Sequence, residues 1–353
     1  MFKFNELQQI HLEITNNCQA SCPMCNRNVN SGLDNPLIKI QNWTLDEFKQ
    51  IMSPVFAQIN SYYFCGNFGD PILNNDLLAM CRYSKNAAPD VKVTIHTNGG
   101  ARTTEWWIDL ASALPNDHLV VFALDGLEDT HHLYRVGTTF DNVVRNAKSF
   151  IRAGGRAEWV FIRFKHNEHQ VETARQLAKD WGFEKFTVKN SSRFILEPTV
   201  AVLDKQGKLM HSIEPATDTP IKFINKTAID SYKKIVSDSE IVCKVQQGRE
   251  VYIDAYKNLY PCCWIASVPY SYIEQNDAFH VRNEILNQHN DLMSKLGNTS
   301  AMDRTVEEIV NSDSYQTVWQ DYWTDQKLIT CARTCGVAPS ITFSQPKDQI
   351  VNV

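Results

Sequence analysis

The chain has 353 residues and a net charge of −5, and 43% of its residues are hydrophobic. This composition is ordinary for a globular protein with a buried core, and the length allows one large domain plus a smaller one. The negative charge gives no support to nonspecific nucleic-acid binding, and no apolar run approaches the ~20 residues that a membrane helix needs. The first residues lack the apolar stretch of a secretory signal, so we expect a cytoplasmic protein whose ten cysteines do not form a disulfide framework.

Six predicted strands alternate with five predicted helices in the first half of the chain. Apolar alternation predicts strands at 9–15, 62–66, 91–97, 118–125, 157–164 and 185–189. Helical spacing predicts helices at 44–58 (kinked or split at Pro54), 76–84, 105–114, 140–153 and 171–181. This alternation predicts an α/β fold with a parallel sheet and helical crossovers, two units short of a closed eight-unit barrel.

Three cysteines follow the first predicted strand within eight residues. Cys18, Cys22 and Cys25 have the spacing Cys-x3-Cys-x2-Cys, so their thiolates can converge on one soft metal centre. A structural zinc site would need a fourth ligand, and the nearest candidate, His11, lies on the predicted strand. Three thiolates on a four-iron cluster would instead leave one iron open to a substrate or cofactor.

Polar segments also follow the ends of other predicted strands. In barrels of parallel strands, the active site lies at the C-terminal ends of the strands, so we expect these segments to share one site with the cysteine loop. They are Gly69-Asp70-Pro71, Thr97-Asn98 and Asp125.

A second set of thiols lies beyond a connector with no strand–helix rhythm. A predicted hairpin at 249–254 and 258–263 ends in Cys262 and its neighbour Cys263, and a helix is predicted at 305–321. Taken alone, four such cysteines would favour a structural zinc site. The four are Cys243, Cys262 or Cys263, Cys331 and Cys335.

The cysteine spacing and the order of the following segments resemble the radical S-adenosylmethionine (SAM) superfamily. The resemblance implies a partial (β/α)6 TIM-like barrel over residues 1–190, a connector over 191–242 and a small C-terminal domain over 243–353. It also implies that Cys18, Cys22 and Cys25 hold a [4Fe–4S] cluster whose open iron binds SAM.

The same resemblance assigns residues to the SAM pocket. Met24 would lie near the adenine, and the segment at Gly69 matches the family's Gly-Gly-Glu-Pro only in part, because Phe68 and Asp70 replace a glycine and the glutamate. Asp125 follows Ala123, where the family has a serine. The implied cofactor-binding residues are Met24, Gly69, Asp70, Pro71, Thr97, Asn98, Asp125 and, for the SAM carboxylate, Arg163.

The C-terminal cysteines resemble the twitch domain, a shortened form of the SPASM extension, with a β-hairpin and a helix. This implies one auxiliary [4Fe–4S] cluster held by Cys243, Cys262, Cys331 and Cys335, and the hairpin alignment favours Cys262 over Cys263. Lys257 occupies the family's usual glycine position in that hairpin. Because four thiolates would cap every iron, we expect the auxiliary cluster to accept electrons rather than bind substrate.

The implied reaction is reductive cleavage of SAM to a 5′-deoxyadenosyl radical, which abstracts a hydrogen atom from a small-molecule or peptide substrate. A one-electron donor such as flavodoxin or ferredoxin is implied, and no nucleic-acid or membrane partner. No protein side chain is assigned as catalytic, because the cofactor carries the chemistry. The alternative from another class is a noncatalytic zinc-binding scaffold with two thiolate sites. His131 and His132 are expected on the surface.

Overall fold

The structure is a computed structural model, and it describes residues 1–191, 193–194, 199–219, 236–271, 279–324, 326–337 and 349–352. The strands are β1 (Gln9–Leu12), β2 (Asn28–Val29), β3 (Leu33–Asp34), β4 (Ser61–Phe64), β5 (Lys92–Thr97), β6 (His118–Ala123), β7 (Ala157–Arg163), β8 (Lys185–Asn190), β9 (Val200–Leu203), β10 (Leu209–Ile213), β11 (Glu240–Ile241), β12 (Glu250–Ile253), β13 (Leu259–Tyr260), β14 (Gly336–Val337) and β15 (Gln349–Asn352). The helices are α1 (Leu45–Met52), α2 (Leu77–Ala87), α3 (Thr104–Ala113), α4 (His131–Tyr134), α5 (Phe140–Arg152), α6 (Val171–Trp181), α7 (Lys244–Gly248), α8 (Cys263–Ala266), α9 (Phe279–Leu296), α10 (Val306–Val310), α11 (Asp313–Thr317), α12 (Trp319–Trp323) and α13 (Ile329–Cys335). None of the helices in the described ranges has the length and apolarity needed to cross a membrane.

The predicted α/β fold class, a partial (β/α)6 barrel, is confirmed. The six predicted barrel strands are present as β1, β4, β5, β6, β7 and β8, and α1, α2, α3, α5 and α6 lie between them in sequence. The chain divides into two compact units, each assembled from separate stretches of sequence. Of the described residues, the first unit takes 1–12, 46–62 and 236–337, and the second takes 13–45, 63–219 and 349–352. The domain boundaries inferred from the sequence motifs stay a prediction.

The second unit contains the parallel run β5-β6-β7-β8, with β15 antiparallel at the edge of β8. The register aligns Thr97 with Phe122 and Arg163 with Asn190. Because the strands are parallel and in register, the residues that follow them emerge at one edge of the sheet.

Buried and partly exposed side chains alternate along these strands, so one face of the sheet is covered and the other is partly open. On β7, Trp159 and Phe161 are fully buried, whereas Val160 and Ile162 between and after them are partly exposed. Trp159 stacks on Trp181 of α6 with ring centroids 5.7 Å apart. The helices therefore cover one face, and side chains at every second position line the other.

The first unit joins the beginning of the chain to its C-terminal region. β12 pairs with β1 in parallel and with β13 in antiparallel, so the predicted hairpin is confirmed. The Asp254 carboxylate closes the hairpin turn by accepting from the N–H groups of Tyr256 (2.9 Å) and Asn258 (2.8 Å). Lys257 has a φ of 67°, the left-handed conformation for which glycine is the usual choice.

Two expectations about local structure are wrong, and one long helix has no counterpart among the predicted elements. The helix expected at 305–321 is three short helices, since Ser312 caps a new helix through its side chain. The 18-residue helix α9 was not predicted. His131, expected on the surface, is fully buried and bonds Thr138 through Nε2 (2.9 Å). The helix predicted at 44–58, with a kink or a split at Pro54, ends at Met52, because proline has no N–H to continue it.

Candidate active site

The three N-terminal cysteines lie on one loop of the second unit. Cys22 is buried, and Cys18 and Cys25 are half-buried. The Cys25 N–H bonds the Cys22 carbonyl (3.0 Å), which turns the chain tightly between these two thiols. The loop is fixed from outside by a bond from the Ser21 N–H to the Val136 carbonyl (2.7 Å).

Hydrogen bonds connect this loop to two other predicted site segments. The Asp70 N–H donates to the Asn17 carbonyl (2.8 Å), immediately before Cys18. One carboxylate oxygen of Asp70 accepts from the Asn98 N–H (2.7 Å) and the Thr97 hydroxyl (3.0 Å). The Asn98 amide donates in turn to the Cys18 sulfur (3.5 Å). The structure therefore brings Cys18, Asp70, Thr97 and Asn98 together, although they come from three different loops.

Gln19 and Glu13 add contacts that the sequence analysis did not assign. The Gln19 amide donates to the Asn98 side-chain oxygen (2.6 Å). Glu13, which is buried, accepts from the N–H groups of Phe68 (2.8 Å) and Gly69 (3.1 Å). Both residues lie at or beside the cysteine motif, and that adjacency is the only sequence signal for them.

Gly69 is required by a close backbone approach. A Cβ at this position would lie 1.8 Å from the Thr15 carbonyl oxygen, well inside contact distance. Pro71 then begins the short 3₁₀ helix Pro71–Leu73, and Asp70 caps it by accepting from the Ile72 N–H (3.2 Å). The segment Gly69-Asp70-Pro71 is thus packed directly against the chain that leads into the cysteine loop.

Burial dominates the ionisation of Asp70. It raises the pKa of the carboxyl to about 6, although the hydrogen bonds from Asn98, Thr97 and Ile72 oppose the shift. A buried carboxylate with several donors is stable in its charged form near neutral pH, and its two oxygens hold three backbone or side-chain groups in place.

Asp125 reaches the cysteine loop through an arginine. Its carboxylate accepts from Arg135 Nε (2.6 Å) and from the Ile162 N–H (2.6 Å), and it is fully buried. The other end of the guanidinium, Nη1, donates to the Cys22 sulfur at 3.8 Å. Burial raises the pKa of the Cys22 thiol, and the positive charge of Arg135 opposes that shift. The sequence analysis assigned Arg135 no role, because ten residues separate it from Asp125.

The side chains of Met24 and Arg163 take no part in the bonds described above. Met24 packs against an apolar cluster that includes Tyr134 and Phe164. Arg163 pairs with Asp218 and donates through Nε to Asn190 (2.9 Å). Its assignment to a cofactor carboxylate therefore stays a prediction that requires it to exchange a partner.

The C-terminal cysteines line one small cavity of about 20 Å³ in the first unit. α13 carries Cys331 and Cys335 four residues apart, so one turn of helix places them on the same face. The thiols of Cys243 and Cys335 lie close together, and the proximity of Cys243 lowers the pKa of Cys335. The described residues that line this cavity include Cys243, Cys262, Cys331 and Cys335 but not Cys263.

Two buried donors beside these thiols have no hydrogen-bond partner in the described part of the chain. They are the Tyr315 hydroxyl and the Trp323 indole N–H. Burial, and then the proximity of Cys262 and Cys243, raise the pKa of Tyr315. Trp323 lines the cavity and lies near enough to lower the pKa of Cys331, though without hydrogen-bond geometry. Orphaned donors of this kind fit a bound group that brings its own acceptor atoms.

The family model described as the radical SAM superfamily matches residues 12–178. The match assigns a radical SAM domain to this part of the chain. Such a domain indicates an enzyme and supports a [4Fe–4S] cluster and SAM as its cofactors. No curated protein sequence matches the chain.

Solved structures of other radical SAM proteins share the fold. Streptococcus suis SuiB bound to precursor peptide SuiA has a TM-score of 0.54 and 12% identity, with 89% of this chain and 67% of that chain covered. SuiB bound to S-adenosylmethionine has a TM-score of 0.52 and 11% identity, with 89% and 68% covered. anSMEcpe with bound AdoMet and Kp18Cys peptide has a TM-score of 0.53 and 14% identity, with 93% and 89% covered. At these identities the likeness is one of fold alone.

The side chains of both cysteine sets fit the implied groups in donor chemistry. Both cysteine sets supply thiols, which are the protein ligands of iron–sulfur clusters. As the described residues stand, no three His, Cys, Asp or Glu side chains are arranged to hold a metal ion. The individual ligand and pocket assignments therefore remain predictions.

Proposed function

We propose that this chain is a radical SAM enzyme whose cluster is held by Cys18, Cys22 and Cys25, with a second cluster in the C-terminal cysteine cavity. When bound, the cluster and SAM supply a 5′-deoxyadenosyl radical that takes a hydrogen atom from the substrate. The substrate class that we propose is a small molecule or a peptide.

One observation supports the first site above all others: the bond network that joins Cys18 to Asp70, Thr97 and Asn98. These residues were selected from the sequence as strand-end segments, without knowledge of their contacts. A scaffold with independent thiolate sites gives no reason for buried polar groups from three loops to meet at one cysteine.

The chain's own residues would position the cofactor and exclude water. Asp70 orders the backbone of Asn98 and of Ile72, so the loops after β4 and β5 present fixed N–H and C=O groups. Such rigid backbone groups suit the amino and carboxylate ends of SAM. Neither loop needs to donate or accept a proton for this role.

The partly open face of the sheet would take the substrate. Ala123, Val160 and Ile162 supply apolar side chains there, which give a radical few polar groups to attack and hold water out. Polar recognition would come from His96, whose ring lies 5.9 Å from that of Tyr63. Burial and then the charge of Lys189 lower the pKa of His96 to about 4, so its imidazole is neutral at pH 7.

The auxiliary cluster is proposed on the four thiols of the cavity, with Cys262 rather than Cys263 as the hairpin ligand. The cavity lining and the two orphaned donors, Tyr315 and Trp323, support this assignment. A zinc ion bound by four cysteines brings no further acceptor, whereas a cluster brings sulfides that accept hydrogen bonds. We propose electron acceptance as its role, and a low-potential flavodoxin or ferredoxin as the donor to the first cluster.

Anaerobic reconstitution tests the proposal. The wild-type chain should bind about eight irons and eight sulfides, two four-iron clusters, and should form 5′-deoxyadenosine from SAM under reduction. Cys22→Ala should lose about half of the iron and all 5′-deoxyadenosine, whereas Cys81→Ala, a buried cysteine of α2, should lose neither.

Two bound zinc ions without SAM turnover would instead establish the zinc-binding scaffold. Iron that loads normally into Cys22→Ala would also reject the ligand assignment.

A further inference from the structure

The guanidinium of Arg135 links a buried carboxylate to one of the proposed cluster ligands. Nε lies 2.6 Å from Asp125 Oδ2, and Nη1 lies 3.8 Å from Cys22 Sγ. The Arg135 side chain is 16% exposed and that of Asp125 is 0% exposed. A charge this well shielded from water acts on its neighbours through a low local dielectric.

Several contacts fix the guanidinium in this place. The Thr138 hydroxyl donates to the Arg135 carbonyl (3.0 Å), and because its only hydrogen is used there, it accepts from His131 Nε2 (2.9 Å). The Arg135 side chain also lies over the Tyr134 ring, with Cζ 5.3 Å from the ring centroid. Asp125 is held in turn by the Ile162 N–H. These contacts with other residues of the chain hold Arg135 in place.

We propose that Arg135 is a positioning residue that sets the reduction potential of the SAM-binding cluster through its hydrogen bond and charge at Cys22. The inference rests on the proposed function, since it needs a cluster on Cys18, Cys22 and Cys25. It adds to that function a residue that makes reduction of the cluster by the external donor more favourable.

The physical reason is electrostatic. One electron passes from an external one-electron donor to the cluster, so the donor is oxidised, the cluster is reduced, and no bond forms or breaks in this step. Reduction adds one negative charge next to the fixed positive charge of Arg135. Hydrogen bonds to cluster sulfurs and the net charge nearby are established determinants of cluster potentials. Arg135 stabilises the reduced state and so raises the potential, whereas Asp125 partly offsets it.

The experiment measures midpoint potentials of the reconstituted holoenzyme by EPR-monitored redox titration, following the signal that changes when SAM is added. Arg135→Gln should lower the midpoint by at least about 59 mV, a tenfold change in the one-electron equilibrium constant. Arg135→Lys should keep most of the wild-type potential, because the charge remains. Asp125→Asn should shift the midpoint in the opposite direction, upward, because the cation loses its counter-charge.

A matched control is Arg156→Gln, which removes a surface arginine that pairs with Asp117 and Glu184. It should leave the midpoint unchanged. If Arg135→Gln does not fold, the double variant Asp125→Asn with Arg135→Gln removes the buried pair together and should still lower the midpoint, by less.

Outcomes separate this inference from the proposed function. A SAM-responsive cluster of unchanged midpoint in Arg135→Gln, or a shift of the same sign in Arg135→Gln and Asp125→Asn, overturns the role of Arg135 and leaves the enzyme assignment intact. A wild-type chain without any SAM-responsive cluster overturns both.

Discussion

At the scale of single residues, the candidate site is built from polar side chains that are costly to bury. Asp70, Asp125 and Glu13 are each at most 4% exposed. Each accepts from at least one backbone N–H group near the end of a strand or in the loop that follows it. Burying these carboxylates costs folding free energy, and their hydrogen bonds fix the loops. Replacing one of them should therefore change the free energy of unfolding.

The ionisation of Asp70 predicts a pH-dependent stability. Its folded pKa, about 6, lies above the ordinary value of 3.8, so the native state holds the proton more tightly than the unfolded chain. The resulting stability is greatest at low pH and is lost as the pH rises through 4 to 6, by up to about 1.4 kcal/mol per pH unit. Urea unfolding of the metal-free protein at pH 4.5 to 6.5 should show this decline.

Asp70→Asn should flatten this part of the pH profile, because the variant has no proton to lose. The control Asp109→Asn, an exposed residue of α3, should keep the wild-type profile. Equal pH dependence in Asp70→Asn and the wild type would contradict the raised pKa.

The Tyr315→Phe substitution should have opposite effects on the protein without and with the auxiliary cluster. Without a cluster, its hydroxyl is buried with no partner in the described residues, so Tyr315→Phe should stabilise the metal-free protein by about 1–2 kcal/mol. With a cluster bound, the same change should remove a hydrogen bond and speed the loss of auxiliary iron. Urea unfolding and iron release to a chelator measure the two effects.

Tyr322 offers a matched control for that prediction. Its hydroxyl already donates to Asp291, so Tyr322→Phe should destabilise the metal-free protein. It should not speed the release of auxiliary iron. Two variants that behave alike would contradict a special role for the Tyr315 hydroxyl.

At the scale of elements, α13 determines whether two of the auxiliary ligands meet. Inserting one alanine between Ala332 and Arg333 would rotate Cys335 by about 100° relative to Cys331. We expect the iron content of the reconstituted protein to fall from about eight to about four. A single-alanine insertion beside Gly207, in the turn between β9 and β10 where open space surrounds the backbone, should keep the full content.

The elements also show what a sequence can and cannot predict. The parallel strands were predictable because apolar residues alternate or run continuously along each of them. The end of α6 was predictable from Gly182, whose φ of 82° is the left-handed conformation that glycine commonly adopts just after a helix. The sequence does not predict α9, because its polar residues hide the helical period. It predicts one helix over 305–321, because the cap at Ser312 resembles any surface serine.

The site could be predicted as a set of strand ends but not as a set of contacts. Cys18, Asp70, Thr97 and Asn98 were all selected from the sequence, because strand ends of a parallel sheet share one edge. Arg135 could not be selected, since its distance from Cys22 depends on how the loop after β6 folds back. The family resemblance identifies the segments that form the site, whereas the contacts between their atoms depend on the folded structure.

At the scale of the whole molecule, each cysteine set lies within one compact unit. Cys18, Cys22 and Cys25 belong to the second unit, and the other four belong to the first. We therefore expect the two sites to load iron independently. Cys331→Ala should lose the auxiliary iron but still form 5′-deoxyadenosine from SAM without added substrate, measured by chromatography of the quenched reaction. Loss of both iron populations would contradict this independence.

The pairing of β1 with β12 limits how early β1 can reach its folded state during synthesis. Gln9 pairs with Glu250, so the first strand meets this neighbour only after about 240 further residues have left the ribosome. Contacts so distant in sequence form slowly, and an unpaired strand edge is prone to wrong partners in the meantime. A nascent chain stalled ahead of Glu250 should therefore depend on chaperones, while its second unit, which does not include β1, has most of its residues already available to fold.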